Sequence, residues 1–537
     1  EIMPSLVGSE MCIRDRHDTR YLFLSMTISG VACFLFFRFA YPYHLLHREQ
    51  MLLFTYTVDQ FIDYFNHPAP LSCLGGDFLT QFFHNINMGA AVVALTMAAL
   101  GTLTYFTCRK WTNRWIAIGI SIVVFIWESL RFCQIQYPFS ATLSLIGALS
   151  LFLLTDKLKG KWDFFIGSIC GTMLCYSLFG YGMFAFTLFT ILSALKRKQN
   201  YVVIYGMIPV ALALPPLAAR KYLVIPSQAY SFPATLWYGT PDFENERILG
   251  LNTEDYFENW DKINELVHDG VPGNAISVCY NLANAMQNKL PEKLMDYYQP
   301  AGLGLFMPVN EKSTYLSTQL SGEVWFRLGD MTMAEHASLL SMIFSPQNKS
   351  VRMVQRLAEI NLINGDNEAA RKYLRILSNT LFYKEWAKKR TPGKESPEVK
   401  EWLKYKRSYL PQKDTLRLSS TDVVKSLHLL MEANPANQMA RDYLLCFDLL
   451  MKDLSAFLKD YKRYHTGAPN RLYAEALLIH LYQKRATGSE IKSTGINPVI
   501  VQDFNEYNRL HTQGNSSALE SRFGRTYWYY YQFAQFQ

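Results

Sequence analysis

A chain of 537 residues is too long for one compact domain. Its mean hydropathy of -0.01 averages two unlike halves: apolar and aromatic runs up to about residue 220, then a mixed, charged, helix-patterned remainder. The net charge of +8 would suggest nucleic acid only if the basic residues shared a face. Many stand instead in short clusters at the ends of apolar runs, which argues against nucleic acid and for membrane topology.

Nine cysteines include no CxxC pair. Cys33, Cys108, Cys170 and Cys175 lie in or beside apolar runs, and the polar half holds Cys279 and Cys446, so neither a disulfide framework nor a zinc site is supported. At the start, Glu10-Met11-Cys12-Ile13-Arg14-Asp15-Arg16 reads as a translated library-preparation adapter, and residues 1–16 are set aside as an artefact.

The following stretch, 17–222, reads as a transmembrane domain. Tyr21–Tyr41 is the first span candidate. Met51–Phe65 carries Asp59 and Asp63 among aromatics and reads as an amphipathic segment lying at the interface, with Phe54, Phe61, Ile62 and Phe65 toward lipid. Pro68, Pro70, Gly75 and Gly76 then break the chain, leaving Phe78–Phe83 as a short apolar piece. Asn87–Thr107, Trp115–Trp127 and Tyr137–Thr155 follow as further spans.

The run from Phe164 to Leu195 sets the parity. At ~1.5 Å per helical residue it would be roughly 50 Å long, against a hydrocarbon core of ~30 Å. Both its flanks, Lys157/Lys159/Lys161 and Lys196/Arg197/Lys198, are basic. Two crossings joined at Gly180-Tyr181-Gly182 satisfy the length and the charge together. Tyr201–Ala219 completes a bundle of about seven helices. Arg20, the Arg109 cluster, the Lys157 cluster and the Lys196 cluster then share one side, Arg48 and Arg131 the other, and Arg220 and Lys221 disagree mildly. This parity puts everything after about residue 222 outside the cytoplasm.

Residues 223–253 read as a linker with Pro226, Pro233 and Pro241, and 254–537 as an all-α repeat domain. Gly329-Asp330-Met331-Thr332-Met333-Ala334 recurs 36 residues later as Gly365-Asp366-Asn367-Glu368-Ala369-Ala370, each after a helix with spaced apolar residues. The pattern resembles the tetratricopeptide repeat, with glycine allowing the tight turn and alanine the close approach of two helices. Asn281–Tyr298 and Tyr443–Tyr461 read as degenerate copies. Arg390–Asp414, rich in proline and lysine, is expected to loop out. The terminal Tyr527-Trp528-Tyr529-Tyr530-Tyr531-Gln532-Phe533 reads as a capping helix or, alternatively, as an exposed aromatic surface.

Candidate chemistry is sparse. Asp59, Asp63 and His67 stand at i, i+4 and i+8 on one helical face, with Asp77 and His84 nearby. Such a set could act as general base or hold a divalent metal at the membrane surface, and the layout is similar to that of multi-pass glycosyltransferases using lipid-linked sugars, which keep acidic residues in the first extracytoplasmic loop. The same residues also suit the wet face of an interfacial helix. Glu128 and Arg131 form an i, i+3 pair at a span end, either a functional pair or an anchor. No phosphate loop, nucleophile elbow or paired-histidine zinc motif appears.

The combination resembles a domain-of-unknown-function family of multi-pass membrane proteins of Gram-negative anaerobes with a C-terminal tetratricopeptide-like domain. The match is carried by Phe78–Phe83, by Gly322-Glu323-Val324-Trp325-Phe326-Arg327-Leu328-Gly329, by Leu357–Gly365 and by Thr526-Tyr527-Trp528. Relatives are expected to carry a basic residue where this chain has Asp77, which weakens a catalytic role there. The resemblance implies architecture and brings no activity. The expectation is therefore a bacterial inner-membrane protein, seated in the lipid bilayer, whose periplasmic repeats bind a protein or an envelope polymer. No cofactor is expected. The alternative is a membrane glycosyltransferase with Asp59, Asp63 and His67 as candidate site residues, and a divalent metal only in that case. A transport component is disfavoured because few charges lie mid-span.

Overall fold

The computed structural model describes residues 20–198, 200–234, 240–267, 273–345, 348–411 and 422–535; the adapter-like 1–16 and Pro346 lie outside them. The described residues are all-helical, with no strand. The chain forms two compact units, Glu1–Glu246 with Asn379–Lys384, and Arg247–Ser378 with Glu385–Gln537.

The first unit contains α1 (Arg20–Ala40), α2 (Pro42–Gln50), α3 (Val58–Phe65), α4 (Pro70–Thr80), α5 (Ile86–Cys108), α6 (Arg114–Phe132), α7 (Phe139–Thr155), α8 (Lys161–Phe179), α9 (Gly182–Lys196) and α10 (Asn200–Tyr222). Four of these, α1, α5, α6 and α8, are long and apolar enough to cross a membrane. The expected count of seven is thus corrected. Helices α7 and α9 are apolar but have only 17 and 15 residues, about 22–26 Å of helix against a ~30 Å core. Helix α10 has the length but carries Pro209, Pro215 and Pro216, and is not among the four. The weakest expected span, Trp115–Trp127, proves to be the 19-residue α6.

The hairpin forms where glycine permits it. Helix α8 ends at Phe179, Gly180 turns with φ +73°, and α9 begins at Gly182. Short α7 is the hub, packed against α4, α5, α8 and α9. Its buried face is built of small residues, Ser140, Ala141, Ser144, Gly147 and Ala148, which let neighbouring backbones approach closely. A Cβ on Gly76, for example, would lie 2.6 Å from the Ser140 amide nitrogen.

That contact also corrects the sequence reading of 68–76 as a break. Pro70 opens α4 at its first turn, where its missing N–H costs nothing, and Gly75-Gly76 lie inside the helix. The expected amphipathic Met51–Phe65 shrinks to α3, capped by Thr57, and Phe54 is buried against Tyr64 and Phe78 rather than facing outward.

Basic residues at several helix ends gather around one carboxylate. Asp156 takes Lys110 and Arg197, the latter at 3.0 Å, so the Arg109 and Lys196 clusters meet beside the Lys157 cluster. Arg48 lies over the Phe132 ring at 4.3 Å.

In the second unit the two Gly-Asp turns have matching geometry. Gly329 (φ +104°) ends the helix Tyr315–Leu328, and Asp330 caps Met331–Phe344 by accepting from the Met333 amide at 3.1 Å. Gly365 (φ +85°) ends Val351–Asn364, and Asp366 accepts from the Ala369 amide at 3.0 Å before Asn367–Ser378. A third turn does without glycine: Lys452 adopts φ +58° between Gln438–Leu450 and Leu454–Tyr464, and Asp453 caps the second helix. Around Asn281–Tyr298, Asn274–Met286 is followed only by the single turns Leu290–Lys293 and Leu294–Asp296.

The segment 390–414 does not loop out where it is described. Ser396 and Pro397 start a helix that runs to Arg407 and buries Val399, Leu403 and Lys406. Arg407 donates to the Leu362 and Ile363 carbonyls at 2.7 and 3.1 Å, satisfying the open end of Val351–Asn364. Residues 412–414 lie outside the described chain.

Candidate functional site

The residues singled out from the sequence are placed as follows. Asp59 is exposed on the first turn of α3. Asp63 lies one turn on, and α3 stops at Phe65, so His67 falls beyond it. The Asp63–His67 pair spans 3.8 Å with both side chains open to solvent. Among the described residues no group of three or more His, Cys, Asp or Glu is arranged to hold a metal. Asp77 accepts from the Tyr64 hydroxyl at 2.7 Å, tying α3 to α4.

His84 joins a different group. Its ring lies 3.8 Å from Glu49, which accepts from the Tyr383 hydroxyl at 2.8 and 2.9 Å, and it stacks on Phe382 at 5.0 Å. The Glu49 carboxylate raises the imidazole pKa of His84 against the opposing effect of burial. Tyr383 and Phe382 come from Asn379–Lys384, a short excursion that belongs to the first unit, held also by the Tyr56 amide to the Asn379 carbonyl at 2.7 Å. Glu128 and Arg131 are not an exposed anchor. Both are buried, and Glu128 accepts from Tyr137 at 2.5 Å and Thr142 at 2.7 Å while Arg131 lies 3.4 Å away. The pair fastens α6 to the start of α7.

The densest charge cluster lies in the second unit and escaped the sequence reading. It rests on two helix faces. Val351–Asn364 presents Arg352, Arg356 and Glu359 at i, i+4 and i+7; Tyr315–Leu328 presents Glu323 and Arg327 at i, i+4. Glu323 and Glu359 are 36 residues apart, the spacing of the two Gly-Asp turns, so they occupy one position in successive helix pairs.

Arg356 bridges them, donating to Glu323 at 2.6 Å and to Glu359 at 2.7 Å. Arg352 reaches Glu323 at 3.3 Å and Asp255 at 3.6 Å, and donates to the Asn252 side chain at 2.8 Å. Arg390 approaches Glu359 at 3.6 Å and lies over Trp386 at 4.1 Å; Arg327 pairs with Glu258. The Phe326 ring is faced by Arg356 at 3.6 Å and by the Lys406 ammonium at 4.6 Å.

Burial decides the electrostatics. Asp255, Glu323 and Arg352 are each at most 1% exposed. Burial alone would raise the Glu323 carboxyl, but Arg356, Arg352 and Arg327 outweigh it and hold it below the ordinary value. Asp255, buried and facing Glu323, is pushed up. Burial, with Arg327 and Arg356 beside it, pushes Lys406 down to about 7.

Five basic groups thus meet four carboxylates, of which Glu258 is on the surface. The Nε atoms of Arg327, Arg356 and Arg390 have no hydrogen-bond partner among the described residues. The cluster opens into a cleft of 360 Å3 lined by Tyr256, Arg327, Arg352, Arg356, Trp386 and Arg390, among others. Its wall sets guanidinium groups held by carboxylates, Glu258 and Glu359 among them, in a partly dehydrated setting.

A family model for a family of unknown function (DUF6057) matches residues 19–534. The chain belongs to that family. No curated protein matches the chain, and no solved structure matches it. Two of the stretches that carried the family resemblance, Gly322–Gly329 and Leu357–Gly365, supply Glu323, Arg327 and Glu359 to the cluster. The usable signal was charge on an otherwise apolar face: Arg352 and Arg356 stand among Val351, Met353, Val354 and Leu357, all buried.

A second displaced carboxyl explains itself structurally. Burial and the facing Asp460 and Asp453 push Asp448 up to about 8. An acid whose folded pKa is raised favours the folded state below its unfolded value near 3.8, and that contribution fades as pH rises toward 8, at ~1.4 kcal/mol per pH unit. Asp448→Asn is expected to melt progressively higher than wild type between pH 5 and pH 8, with the difference levelling off above that. A constant difference in melting temperature across that range would contradict this assignment.

Proposed function

We propose that this chain is a multi-pass inner-membrane protein whose second unit is a tetratricopeptide-like module in the periplasm that binds a protein or an envelope polymer. The observation that carries the binding reading is the arginine-walled cleft to which Arg327 of one helix pair and Arg352 and Arg356 of the next contribute. Helical repeats use such a face to hold extended ligands. Four helices long and apolar enough to cross a membrane support the anchoring. The meeting of Lys110 and Arg197 at Asp156 gathers basic residues at one end of these helices, a one-sided charge of the kind found on the cytoplasmic face.

Alkaline phosphatase fused at Gly250 is expected to be active in intact cells, and the solubilised full chain to retain a partner from envelope extract. A silent phosphatase together with a fluorescent green-protein fusion at the same point would overturn the sidedness. Retention of the same partner by a chain lacking 254–537 would overturn the binding role of the second unit.

A further inference from the structure

A second cleft adjoins the first. It measures 480 Å3 and shares Trp386 and Arg390 with the arginine-walled cleft as a common wall. Its other lining includes Lys389, Ser396, Glu398 and Trp402. Both tryptophans are only half-buried, and Arg390 over Trp386 fixes that ring in place. The two clefts differ in chemistry. One is walled by Arg327, Arg352, Arg356 and Arg390; the other offers two indole rings with small and charged polar groups at its rim.

We infer that the paired clefts bind an acidic saccharide, its carboxylate or phosphate among the arginines and a sugar ring against Trp402 and Trp386. The inference rests on the binding reading above and narrows its ligand. Three observations carry it. Arg390 lines both clefts, its side chain is 20% exposed, and its ion-pair partner Glu359 stands 3.6 Å away, so its guanidinium is placed to take an incoming anion. The anion site is contiguous with aromatic rings. A sugar has an apolar C–H face and a hydroxyl rim, which suits an indole face bordered by Ser396, Lys389 and Glu398. The surrounding elements are helices with internally satisfied backbones, so no sheet edge is present among the described residues to hold a peptide strand.

The full chain in detergent, titrated at low ionic strength and followed by tryptophan fluorescence and calorimetry, tests this. The probes are trigalacturonate, glucose 1-phosphate, maltotriose and triglutamate. A charged sugar is expected to bind at least tenfold more tightly than maltotriose and than triglutamate. Which of the two charged sugars binds more tightly identifies the anion as carboxylate or phosphate.

Arg390→Met is expected to reduce charged-sugar affinity to the level of the neutral sugar, since Glu359 keeps Arg356. Trp402→Ala is expected to lower affinity at least fivefold, and Trp402→Phe, which keeps a ring against Phe326, to restore most of it. If Trp402→Ala proves unfolded, the Trp402→Phe and Arg390→Met comparison decides alone. Equal binding of maltotriose, equal binding of triglutamate, or unchanged affinity in Arg390→Met would each overturn the inference. A partner captured from envelope extract equally by wild type and Arg390→Met would leave the binding reading standing while this one falls.

Discussion

Replacing Glu323 with glutamine is expected to destabilise the second unit by ~3–5 kcal/mol, the range for breaking a buried ion pair by removing one partner. Glu323 is the counter-charge of both Arg352 and Arg356, at 3.3 and 2.6 Å, and Arg352 is 1% exposed. Glutamine keeps the volume and one acceptor oxygen but leaves a guanidinium charge unmatched in a low-dielectric wall. Domains are stable by only about 5–15 kcal/mol, so the loss is a large fraction of the total.

The expected measurement is a fall in melting temperature of the order of ten degrees, little altered by added salt because the pair is shielded from it. Asp255 offers an internal control. Already pushed toward its neutral form beside Glu323, it should tolerate Asp255→Asn far better than Glu323 tolerates Glu323→Gln. Equal losses at the two positions would mean that the charges are not partitioned as described.

Trp528→Ala is expected to cost about 3–5 kcal/mol through the cavity it leaves. The indole is 1% exposed, its N–H donates to the Glu475 carbonyl at 2.9 Å, and it packs on Phe504, Tyr507 and Phe523. Its neighbours are fastened too: the Tyr527 and Tyr530 hydroxyls donate to the Leu449 and Leu450 carbonyls at 3.0 and 2.8 Å. The terminal aromatic run therefore closes the unit rather than presenting a ring surface, although the sequence permitted both. Tyr529→Ala, at a half-buried ring of the same helix, should cost much less. Chemical denaturation of the two variants in parallel checks the difference; a Trp528→Ala protein as stable as wild type would return the aromatic tail to the role of a partner surface.

Local signals were legible wherever one turn of chain carried the whole cause. Gly180, Gly329 and Gly365 mark reversals because only glycine adopts those φ values without strain, and the aspartates after the last two cap the next helix from three residues away. Lys452 shows the limit of that logic, since the same turn forms there without glycine. Prolines misled in one direction: Pro70 and Pro397 begin helices where the sequence reading had breaks, because a proline at a first turn gives up no hydrogen bond.

The sequence by itself determined that the chain is helical, where its clearest turns lie and that its first part holds helices able to cross a membrane, because hydropathy and glycine act over one or two turns. Only the tertiary structure decided that α7 and α9 are too short to count with them, that Glu128 and Arg131 are buried, and that Glu323 meets Arg352 and Arg356. Those partners lie 29 and 33 residues away in the chain. A charge on an apolar face is a cost in isolation; it becomes a site only when packing brings its counter-charges to the same place.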